Sequence, residues 1–229
     1  MPSHPKRRLD LGPLEKTVRW IEETAPDRFT AEISKKLGKA RGEKYDPFLK
    51  SAAIAAARSI RVPPEGGGEI PHGWLLQPSV QSLIAQLDAL GSPRDHEAAR
   101  AAMVADLTLV NREIQTQLGG RAKLPDHGAG TGSKDETFFA FLEEVRAGNP
   151  DGADQHFSWL ISDLEKGPVA DLLISAGLEG VAGEIHKVIA VVEAVSLLTW
   201  MGWDWAPILL RPVVRMQASG THAHDEYKR

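Results

Sequence analysis

Apolar residues in this chain recur at intervals of three and four, and most runs of them are bounded by proline or glycine. That periodicity builds helices, and the two-residue alternation of a half-buried strand is nearly absent. Leu14, Val18 and Ile21 share one face of a segment opened by Pro13. Phe29, Ile33 and Leu37 follow at four-residue spacing, and Gly38 is placed to cap them. Asp46-Pro47 supplies a cap and a first-turn proline for an alanine-rich helix. Val80, Leu83, Ile84 and Leu87 predict a helix over about 79–90, stopped by Gly91. Ser92-Pro93 then opens a long helix carrying Met103, Leu107, Val110, Ile114 and Leu118.

The second half continues in the same way. Phe138, Phe139 and Leu142 read as core, and helices are expected near 154–166 and 168–176. A long helix over 181–200 brings Ile185, Ile189, Val192 and Leu197 near one another, with Val188, Val191 and Val195 widening the apolar surface. It is the expected centre of the core, covered on most sides. Pro207 and Pro212 predict a short kinked helix over 203–216. The fold class is all-α, a compact multi-helix bundle.

The 229 residues suffice for one helical domain over 13–216, preceded by a disordered amino end (1–12) and followed by a flexible tail (217–229). The stretch RVPPEGGGEIP over 61–71 is the point where that domain would divide, and it is expected to be a mobile loop able to gate a pocket. With no cysteine, disulfides, thiolate ligands and a cysteine nucleophile are excluded. No apolar signal segment follows the basic start, and the longest apolar run, Val188 to Trp203, is short and broken by Glu193. A cytoplasmic protein without a membrane span is expected. Residues 1–60 hold 13 Lys/Arg against 8 Asp/Glu, and the remainder is acidic. Such a basic amino end suits an anionic partner or the solvated faces of ordinary helices.

Few motifs carry chemistry. The glycine-rich stretch from Gly128 to Lys134 lacks the Gly-Lys-Ser/Thr order of a phosphate loop and follows no strand. There is no HExxH or GxSxG, so no metal site is expected, and His222 and His224 belong to the tail. His72, His156 and His186 lie in or beside apolar segments, where an imidazole acts as acid or base or simply fills a core position. Six tryptophans are many for this length. Trp74, Trp159 and Trp200 each fall near one of these histidines, which suits an aromatic ligand, a helical core or an oligomer interface.

The segment from His72 to Gly91, beginning His-Gly-Trp-Leu-Leu-Gln-Pro and ending Ala-Leu-Gly, resembles the histidine-led helix of questin oxidase-like proteins. The stretch from His156 through Leu173, continuing into Glu184-Ile-His-Lys-Val-Ile-Ala, is similar to that family's later histidine-centred segment. The resemblance implies His72 and His186 as catalytic positions. It also implies oxygen-dependent oxidative cleavage of a polyketide-like aromatic with a reduced nicotinamide. The residues alone name no cofactor. This chain has Pro71 before the first histidine and Lys187 after the second, and it is shorter than the family.

Three functions compete. In the first, an apolar or aromatic small molecule is bound, and possible oxidoreductase chemistry follows, with His72 and His186 catalytic and Trp74, His156, Trp159 and Trp200 lining the pocket. In the second, the chain is a non-enzymatic helical module that assembles with itself or a protein partner, using the Trp200–Trp205 region. In the third, the basic amino end meets nucleic acid, with no recognition motif behind it.

Overall fold

The computed structural model describes residues 10–38, 40–59, 72–116, 132–161, 166–179 and 185–219. Eleven α-helices and no strand occur among them. The gating loop, the tail histidines, most of the glycine-rich stretch and most of the expected amino end lie outside the described residues; of that amino end, Leu11 is buried and Gly12 opens a 3-10 turn.

The first five helices are α1 (Glu15–Glu23), α2 (Pro26–Leu37), α3 (Asp46–Ser59), α4 (His72–Leu90) and α5 (Pro93–Thr116). At the centre stands α3. Every residue from Ser51 to Ser59 is buried, and five of those nine are alanine. Alanine favours the helix and keeps its surface thin. Neighbours therefore approach from all sides: α1, α4, α5 and the short α10 (Ala206–Leu209) all pack on it. The expectation that helix 181–200 forms the centre is corrected here. Small side chains made α3 look modest in sequence, and they are what admits four neighbours at once.

Where α3 buries a charge, it is paired. The Arg58 guanidinium lies 3.0 Å from one Glu22 carboxylate oxygen and donates to the other at 3.1 Å. A further donation reaches Glu15 at 3.2 Å. With Arg19 also on Glu15, part of the basic charge of the first 60 residues is held internally.

The most extensive helix pairing joins α4 to α5. They run antiparallel, so residue numbers in contact across them sum to a near-constant value: Gly73 meets Val110 and Glu113, Gln77 meets Asp106, and Asp88 meets His96. Gly91 at φ 74° makes the turn between them. Ser92 and Asp95 cap each other reciprocally at the start of α5.

Helix α4 begins at His72, seven residues earlier than the spacing predicts, and runs through Pro78. A proline removes one main-chain donor and should open the preceding turn. Two contacts hold that turn. The Gln77 side-chain amide donates to the Gly73 carbonyl at 2.9 Å, and the Gly73 N–H donates to Glu113 at 2.9 Å.

The other half contains α6 (Lys134–Arg146), α7 (Pro150–Leu160), α8 (Lys166–Glu179), α9 (His186–Met201), α10 and α11 (Arg211–Gln217). Ser133 and Glu136 form a capping box at α6, and Asn149 caps α7. Pro150 is the first residue of α7. Arg211 holds the buried Asp154 carboxylate through its Nε at 2.9 Å and its Nη2, tying α11 to α7. The kinked segment near Pro207 and Pro212 resolves into a 3-10 turn followed by α10 and α11. Gln217, expected in the flexible tail, is buried; it donates to the Lys187 carbonyl and its own carbonyl accepts from the Lys187 ammonium.

Candidate functional site

The six residues singled out by sequence do not gather into one site. His72 and His186 each open a helix, α4 and α9, and both are exposed. Trp74 is wholly buried one position beyond Gly73, and its indole N–H has no partner. His156 and Trp159 are half-buried on α7, and the His156 Nδ1 is buried without a partner. Trp200 lines a surface groove to which the other five do not contribute. Among the described residues, no group of three His, Asp or Glu side chains could hold a metal ion, and no helix is long and apolar enough to cross a membrane.

That groove, about 510 Å³, lies between α4 and α9. Pro78, Ser79, Ser82 and Leu83 supply much of one wall, and Glu193, Ser196 and Trp200 the other. The Lys50 ammonium lies 5.4 Å from the Trp200 ring centre, at the groove's border. The groove runs open along the surface, and serine and glutamine make up much of its lining.

On either side of it stands an apolar stripe. On α4, Leu76, Leu83 and Leu90 are 45%, 46% and 71% exposed. They fall seven residues apart, two turns each, and so share one face. On α9 and the residue that precedes it, Ile185, Ile189 and Val192 are 54%, 39% and 52% exposed, one turn apart. The expectation that helix 181–200 is covered on most sides is therefore corrected. Ala190, Val191, Ala194, Leu197 and Leu198 are its buried set, while its isoleucines face outward. Phe139, expected in the core, is likewise 64% exposed. An even spread of apolar residues around a helix gives no hint of which side finds a neighbour.

The α4–α9 face also lacks charge. No Lys, Arg, Asp or Glu occurs from His72 through Leu87. On α9 there are two, Lys187, which is buried, and Glu193, half-buried at the groove, whose carboxyl is pushed up by burial. For a chain that is 25% charged, this face is a gap in the solvated surface.

A second cluster lies inside the α4–α5 pairing. Asp106 is 5% exposed and Glu113 3%. Their seven-residue spacing places both on the side of α5 that meets α4. Burial pushes the Asp106 carboxyl up to about 7; the charge of Glu113 adds to this, and the Gln77 hydrogen bond opposes it. Burial raises Glu113 as well, against the hydrogen bonds it accepts from the start of α4. Gln77 donates to Asp106 at 2.8 Å. The second Asp106 oxygen and the Gln77 carbonyl oxygen are buried with no donor. Sequence reasoning passed over these carboxylates because no histidine lies one turn away. Their common spacing with Gln77 and Gly73 across an antiparallel pair was the signal available.

The class defined by this architecture is an all-α multi-helix fold with an open, charge-poor two-helix face. No family model, no curated protein and no solved structure matches the chain.

Proposed function

We propose that this chain is a non-enzymatic helical module that works by docking a protein surface on its α4–α9 face. One observation carries the reading: six large apolar side chains stand exposed there, on two adjacent helices, with almost no charge among them. Isolated exposed leucines are ordinary, but two apolar stripes flanking one groove suit an interaction site. Charge is sparse across the face, with Glu193 in the groove, and depletion of charge is the compositional mark of an interface.

A ligand-binding reading draws on Trp200 as a flat wall beside the groove, whose volume falls in the range of small-molecule sites. It is the weaker one. Ligand sites are mostly enclosed and apolar, whereas this groove is open and lined with serine and glutamine. The exposed His72 and His186 both lie outside its lining, so the oxidative chemistry implied by the resemblance gains no support from it.

The test is a photo-reactive amino acid at position 83 in the full chain, expressed in its own host. Position 94, exposed on α5, serves as the control. Protein adducts are expected at 83 and not at 94. Equal labelling at both positions, or labelling at 83 by small molecules alone, would overturn the proposal.

A further inference from the structure

We infer that the surface docked on the α4–α9 face is a second copy of this chain, related to the first by a twofold axis. The inference rests on the docking proposal and names its partner.

The first argument is size. At about 1.5 Å rise per residue, α4 is roughly 28 Å long. Two helices packed about 10 Å apart present about 20 Å of width, so the face covers roughly 550 Å². Two such faces bury about 1,100 Å², which just reaches the ~1,000 Å² expected of a specific protein interface.

The second argument is shape. The α4 ridge of Leu76, Leu83 and Leu90 stands beside a groove whose two walls include the small residues Ser79, Ser82 and Ser196. A twofold axis sets the ridge of one copy against the groove of the other and repeats the contact in reverse. One face thus carries both halves of the fit.

The third argument is charge. A partner recognised by opposite charge finds nothing to pair with between His72 and Leu87. A lipid surface is disfavoured for the same reason, since helices that lie on membranes carry lysine and arginine on their polar face. A copy of the same charge-poor face is matched without any such group. The exception is Glu193, which lines the groove with Ser196 and Trp200 rather than standing on the leucine ridge.

Sedimentation of the purified full chain across a wide concentration range tests this. A reversible dimer is expected, and Leu83→Glu should weaken it by at least roughly 30-fold, since the charge is buried twice per dimer. Ser196→Arg, an exposed change with little bearing on the core, should act in the same direction with an unchanged circular dichroism spectrum. A dimer indifferent to both variants overturns this inference and the docking proposal together. A monomer at every concentration, with position 83 still cross-linking to other polypeptides in cells, overturns the second copy alone. Vesicle binding by the monomer, or a cross-link from 83 within one chain, overturns it as well.

Discussion

Asp106 shows how much one buried side chain can set. Its carboxyl is raised from 3.8 to about 7 because folding removes it from water. The sign follows directly. Between roughly pH 4 and pH 7 the native chain holds a proton that the unfolded chain gives up. Its stabilising contribution is therefore complete below the unfolded value and is lost as pH rises through about 7. The charged groups that bear on it are few: Glu113 on its own helix, with His72 at the start of α4 and Arg112 acting on Glu113 in turn. On α1 and α3, the buried Glu22 and Arg58 pair with each other. Glu113 shifts in the same direction, so wild type alone would show a mixed slope. Asp106→Asn isolates the residue. It keeps an acceptor for Gln77 and adds a donor where two buried acceptors have none. We expect the variant to be more stable than wild type at pH 8, by roughly 2 to 4 kcal/mol, and no more stable at pH 4. Denaturant midpoints across that range decide it; a difference independent of pH would show that Asp106 does not titrate as described.

At the scale of elements, α4 separates what sequence makes legible from what it does not. The boundaries of α2, α3 and α5 were readable because local chemistry sets them: Gly38, Asp46-Pro47 and Ser92-Pro93 cap or stop a helix from within a few residues. The start of α4 was not, because it depends on Glu113, forty residues away, accepting from Gly73. Pro78 argued locally against a helix, and Gln77 answered it with a side-chain bond to the preceding turn. The site followed the same rule. Leu83 was read with Val80, Ile84 and Leu87 as one apolar face, but exposure depends on which helix lies alongside. Gly73 offers a test of the α4–α5 fit. An added Cβ would lie 2.8 Å from both Glu113 Oε2 and Val110 Cγ2. Gly73→Ala, which by helix propensity alone should stabilise by up to about 1 kcal/mol, is expected instead to cost roughly 1 to 3 kcal/mol. A higher urea midpoint for the variant would refute this tight approach.

For the whole molecule, the uneven placement of charge has a solution consequence. Association through a charge-poor face should resist salt: raising sodium chloride well past the point where surface ion pairs are screened should leave dimerisation nearly unchanged, and sulfate should strengthen it. Dissociation on adding sodium chloride, followed by sedimentation, would point to a different, charged surface. The interior has a consequence of its own. With α1, α4, α5 and α10 all closing on the alanines of α3, the centre of the protein is defined by the absence of side-chain volume. Inheritance can therefore replace those residues with almost nothing. Glycine would loosen the helix, and anything larger would have to push apart four neighbours at once. The stretch with the plainest chemistry in the sequence is the one least free to drift, while the leucines and isoleucines outside can change wherever their contacts change with them.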